Sequence, residues 1–121
     1  MRIQKDVEEA VTEIKKYEGE LRKVITNKAT MTEKKQENEM VLNEFKELNA
    51  ESNVYKLVGP ILCKQDLSDC RSNVEKRVEY IDKEIARQDA LEADFQKKIT
   101  EKSNKIKKMQ SDFQAIIMQA Q

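Results

Sequence analysis

At 121 residues, with 38% charged and only 5% aromatic side chains and no tryptophan, the chain is poorly supplied for a globular core. Lysine plus arginine and aspartate plus glutamate balance at 23 each, which removes any net field favouring nucleic acid or an anionic membrane. The absence of histidine removes the commonest general base, and no apolar run approaches the roughly 18 residues that a membrane-spanning helix needs. The N-terminus carries no signal-peptide pattern, so the expectation is a cytoplasmic protein.

The first predicted element is a long helix over residues 1–52. Apolar residues recur in alternating steps of four and three through Ile3, Val7, Ala10, Ile14, Tyr17, Leu21 and Val24. The register continues through Lys28, Met31, Lys35 and Asn38 and recovers at Leu42 and Phe45. This 3.5-residue period is that of a left-handed coiled coil. Gly19 falls on its outer face. The polar stretch from Lys28 to Asn38 reads either as a loosened segment or as polar seam residues that fix register, and the second reading is favoured. Two asparagines and a serine between Asn49 and Asn53 give stop and turn chemistry.

Residues 53–65 break the helical pattern. They hold the only proline, Pro60, beside Gly59, one of only two glycines, between runs that suit strands. Val54, Lys56 and Val58 would share one face and Tyr55 and Leu57 the other, with Ile61 and Cys63 likewise opposing Leu62 and Lys64. Both faces are therefore apolar in part, and a two-stranded hairpin is marginal alone and has two unpaired edges. Val54, Tyr55, Leu57, Val58, Gly59, Pro60, Ile61 and Leu62 are expected to form an oligomerisation hairpin that joins a sheet or barrel built from several chains.

The second predicted helix covers residues 66–121, with Asp66 as its N-cap and Asp69 adding charge to the first turn. Its seam runs through Val74, Val78, Ile81, Ile85, Phe95, Ile99, Ile106, Met109, Phe113 and Ile116, interrupted by Gln88, Glu92 and Lys102. Antiparallel pairing of the helices would set Lys28 or Lys35 near Gln88 or Glu92, over a coiled coil of some 70 to 80 Å at about 1.5 Å per residue. The termini would then meet, gathering Ile3, Val7, Val11, Met109, Phe113, Ile116, Ile117 and Met118. Val11, Ile117 and Met118 lie beside the seam rows, so this end holds more apolar surface than one seam can hide. It reads either as extra packing or as a binding surface.

The two cysteines, Cys63 and Cys70, lack zinc-site spacing and read as reduced thiols used for packing. No catalytic residue, metal ligand or cofactor site is expected. The basic run Lys105 to Lys108 is interrupted by Ile106 and reads as a solvated helix face, not a nucleic-acid site.

The segment from Asn53 to Asp66 (NVYKLVGPILCKQD), with Ser72 to Ile81 (SNVEKRVEYI), closely resembles the β-class subunits of the prefoldin family. Cys63 and Cys70 stand where members often have valine and alanine. The resemblance implies a single domain over 1–121, mainly α, an antiparallel two-helix coiled coil joined by one β-hairpin. It also implies a hexamer of two α-type and four β-type subunits whose hairpins form paired barrels. Such a hexamer captures unfolded clients, actin and tubulin among them, at the arm tips. It passes them without ATP to a cytosolic group II chaperonin. With the resemblance added, client capture is the favoured reading of the tip residues. The alternative is a coiled-coil scaffold or tether that binds folded partners.

Overall fold

The computed structural model describes residues 2–48 and 53–120, in the order α1 (Arg2–Glu47), β1 (Val54–Val58), β2 (Ile61–Gln65) and α2 (Leu67–Ala120). The expected stop chemistry from Asn49 to Ser52 lies outside the described residues, and α1 ends ahead of it. The carbonyl of Phe45 closes that end, accepting a hydrogen bond from the Leu48 amide at 3.2 Å and one from the Arg71 guanidinium at 3.0 Å. A cation at a helix C-terminus also meets the negative end of the helix dipole.

α2 begins as expected. The Asp66 carboxylate accepts a hydrogen bond from the Asp69 amide at 3.1 Å, and the Asp66 carbonyl accepts one from the Cys70 amide at 3.0 Å. One side chain thereby satisfies an amide that the helix geometry leaves without a partner.

Residues 28–87 form one compact unit. Within it the helices run antiparallel, since Lys35 meets Asp82 and Phe45 meets Arg71. Phe45 and Val74 are its buried apolar residues, with Met31, Leu42, Val78, Ile81 and Ile85 half-buried along the same seam. Residues 2–27 and 88–120 belong to a second compact unit. Here Glu13 meets Lys102, and the rings of Tyr17 and Phe95 lie 6.1 Å apart, with the Lys98 ammonium 5.6 Å from both ring centres. Ala10, Val24 and Gln88 are buried.

Every expected seam position of α1 from Ile3 to Phe45 is buried or half-buried, so the heptad register holds through the polar stretch as well. No large side chain among the described residues is fully buried. Two helices have only a narrow strip to offer each other, which is why a charge-rich sequence suffices. Gly19 sits off the seam, with no atom within 4 Å of where a Cβ would be.

One cross-seam pair is placed and one seam position needs correction. Of the two lysines expected near Gln88 or Glu92, Lys35 pairs instead with Asp82, at 2.6 Å, closer to the hairpin. Ile116 continues the sequence pattern but is 56% exposed.

Candidate functional site

Val58 and Ile61 pair across a two-residue turn, and the ladder continues through Leu57 with Leu62, Lys56 with Cys63, Tyr55 with Lys64 and Val54 with Gln65. Gly59 has φ of 58°, a conformation that L side chains rarely adopt, while the ring of Pro60 holds φ negative. This combination selects a type II′ turn, whose twist matches that of the strands. The register fixes the two faces. Val54, Lys56, Val58, Ile61, Cys63 and Gln65 share one, and Tyr55, Leu57, Leu62 and Lys64 share the other.

All eight residues expected to form the oligomerisation surface are thus brought together. Tyr55, Leu57, Val58, Ile61 and Leu62 are exposed, Leu57 by 66% and Leu62 by 64%. Val54 is half-buried, facing a recess of about 230 Å³ that Phe45, Cys70 and Val74 also line. Among the described residues the sheet has two strands, so both outer edges carry backbone donors and acceptors without ladder partners there. The hairpin thus carries apolar side chains on both faces and polar backbone on both edges.

The second candidate surface lies in the other unit. Ile3, Val7, Met109 and Phe113 are half-buried, whereas Val11, Ile116, Ile117 and Met118 are exposed, Met118 by 75%. Met109 lines a recess with Asp6, Glu9, Ala10, Glu13, Lys102 and Lys105, so seam and charge meet there. The hydrogen bond from Lys102 to Glu13, at 2.6 Å, holds the Glu13 carboxyl below its ordinary value of 4.5 and the Lys102 ammonium above 10.5. The hydrogen bond to Asp82 raises Lys35 in the same way. These pairs flank the seam.

Among the described residues no group of three or more His, Cys, Asp or Glu side chains is placed to hold a metal ion, and Cys63 and Cys70 are free and half-buried. No helix in them is long and apolar enough to cross a membrane. Sequence reasoning passed over Tyr80, an exposed aromatic in a groove with Lys34, Lys76 and Arg77. Its signal was available, since an aromatic between seam positions Val78 and Ile81 has no place in a two-helix core.

The sequence profile of the family described as prefoldin subunit matches residues 3–113. Prefoldin subunit 6 of Arabidopsis thaliana is 39% identical over 114 residues, covering 94% of this chain and 88% of that protein. The probable prefoldin subunit 6 of Caenorhabditis elegans is 38% identical over 113 residues, covering 93% and 90%. Human prefoldin subunit 6 is 30% identical over 112 residues, covering 93% and 87%. Among solved structures, the prefoldin beta subunit from Thermococcus strain KS-1 superimposes with a TM-score of 0.79 at 20% identity, covering 84% of this chain and 90% of that one. At that identity the match speaks for the fold.

Proposed function

The chain belongs to the prefoldin family, and on that premise we propose that it is one subunit of a chaperone complex that captures unfolded or nascent chains, actin- and tubulin-type clients among them. Members of this family are chaperone subunits rather than enzymes. The complex is a cytoplasmic hexamer with two α-type and further β-type subunits, which hands its clients to a group II chaperonin without ATP. One observation carries the reading: five large apolar side chains stand in water on the two faces of a hairpin whose edges are both unpaired. Barrel formation with other prefoldin subunits would cover those faces and complete the ladders at once. A tether between folded partners has no use for such an element.

Clients are held by the end of the arm. Ile116, Ile117 and Met118 are exposed and follow Phe113 closely in sequence, which gathers apolar side chains on the last turns of α2. Methionine adapts its shape to varied partners, and terminal turns open at little cost. The test co-expresses the chain with α-type and β-type subunits, measures the intact mass and follows aggregation of a diluted denatured protein by light scattering. Six chains and suppressed scattering are expected. Changing Phe113, Ile117 and Met118 together to Ser leaves the mass intact and weakens suppression in part, since several arms share the load. Unaltered suppression by a complex with every subunit's tip made polar would move the client site elsewhere.

A further inference from the structure

A groove of about 400 Å³ lies beside the seam of the hairpin-bearing unit, lined by Lys34 and Asn38 of α1 and by Lys76, Arg77, Tyr80 and Ile81 of α2. Three of its lining residues are cations and none is an acid. The recess facing Val54 shares Arg77 and likewise has no acid, with Lys56 its other cation, whereas two others mix charges. The recess beside Lys46 and Arg71 contains Glu39 and Glu75, and the one beside Lys102 and Lys105 contains Asp6, Glu9 and Glu13. Neighbouring cations are also neutralised locally, Lys35 by Asp82 and Glu39, Lys83 by Glu79 and Arg87 by Glu84. Lys34, Lys76 and Arg77 have no such ion pair among the described residues. The residues three and four positions from Arg77 are Asn73, Val74, Tyr80 and Ile81, so its own helix supplies no carboxylate.

The floor of the groove is apolar in character. Lysine and arginine stems can cover such a surface while their charged heads remain in water. Tyr80 stands 65% exposed there, beside half-buried Ile81. A ring, an aliphatic floor and three cations without counter-ions form a surface whose complement is an acidic segment bearing an apolar side chain.

We propose that this groove docks an acidic peptide segment of a partner protein. Its carboxylates would meet Lys34, Lys76 and Arg77, the guanidinium offering paired donors that match a carboxylate. An apolar or aromatic side chain of the segment would lie on Tyr80 and Ile81. The surface favours a peptide over single-stranded nucleic acid, because a single exposed ring provides only one stacking platform for bases. This docking goes beyond client capture at Phe113, Ile117 and Met118, and either can fail while the other stands.

The test uses the complex assembled with the other prefoldin subunits and follows fluorescence anisotropy. The probe is a fluorescein-labelled oligoglutamate peptide carrying one phenylalanine. Comparison probes replace its glutamates by glutamine or lysine, or are an oligothymidylate of equal charge. Binding of the oligoglutamate probe alone is expected, weakening as salt rises. The double variant Lys76→Glu, Arg77→Glu should lose about tenfold or more in affinity. Tyr80→Ala should weaken binding several-fold, and Lys83→Glu, which alters an already paired cation, should change it little. If charge reversal hinders assembly, the neutral Lys34→Gln, Arg77→Gln variant serves the same comparison. Unchanged affinity in the groove variants overturns the proposal, as does equal binding of oligothymidylate. Protection of Tyr80 from hydroxyl radicals in the peptide-free complex also overturns it, by assigning the groove to a neighbouring subunit. Aggregation suppression measured on the same samples keeps this outcome separate from that of client capture.

Discussion

The hairpin and the last turns of α2 both hold large apolar side chains in water, but they offer a partner different things. The outer edges of β1 and β2 present unsatisfied amides and carbonyls at fixed spacing, with side chains alternating between two faces. A partner must match that spacing and register to cover them. In α2 the backbone donors and acceptors bond within the helix, apart from the final carbonyls, so Ile116, Ile117 and Met118 offer side chains alone. Nothing there fixes a partner's register. Equal hydrophobicity therefore yields a surface selective for one kind of partner in the first case and a permissive surface in the second.

The largest expected effect would break the selective surface. Val58→Asp or Ile61→Asp would place a carboxylate where the proposed barrel would close, at a cost of several kcal/mol if it stays unpaired. Native mass measurement should show exclusion from the complex, while circular dichroism shows the helices retained. Normal incorporation of Val58→Asp would show that the hairpin remains solvated. Next in size is Gly59→Ala. No atom obstructs the new Cβ, so the loss is backbone strain at positive φ, about 1–2 kcal/mol. Assembly should weaken in midpoint concentration without being abolished, and an unchanged midpoint would place the turn outside the interface.

The arm can be altered in the opposite direction. Gln88 is 5% exposed and its Oε1 has no hydrogen-bond partner among the described residues, so Gln88→Leu should stabilise the helices by about 1 kcal/mol. Thermal unfolding would register the gain, and the composition of the complex should not change. A lower melting temperature would mean that Gln88 is satisfied in solution.

The smallest effect is the pH dependence of the arm's charged pairs. Glu13 is held below 4.5, so its contribution is present above that value and fades as pH falls through the lower folded value. Lys102 and Lys35 are raised, so theirs is complete below 10.5 and fades as pH climbs through the higher folded values. Helicity should stay level between these limits. Lys102→Met should flatten the acid limb in particular, and an unaltered limb would assign it to other carboxylates.

Most of the architecture was legible because it rests on short, repeated rules. The register of α1 needed only the spacing of Val7, Ala10, Ile14 and their successors, and Gly59 with Pro60 located the turn. Asp66 marked the start of α2 through the chemistry of its carboxylate. The cross-seam ion pairs were not legible, because a lysine stem reaches acids on several turns and Asp82 competes with Glu92 on equal compositional terms. Ile116 was misplaced for another reason. A heptad pattern reports the face of a helix but not how far that face is covered at a given turn. The groove around Tyr80 escaped because its residues come from two helices and share no local pattern.

β2 ends at Gln65 and α2 starts at Leu67, so the single residue Asp66 links them, and its carboxylate and carbonyl are both bonded into the first helical turn. Such a joint works as a crank with no slack. A twist imposed on β2 when its edge takes a partner is delivered to α2 as a rotation of the helix about its own axis. A spin label on the outer face of the first turns of α2 should therefore register how the strand is seated.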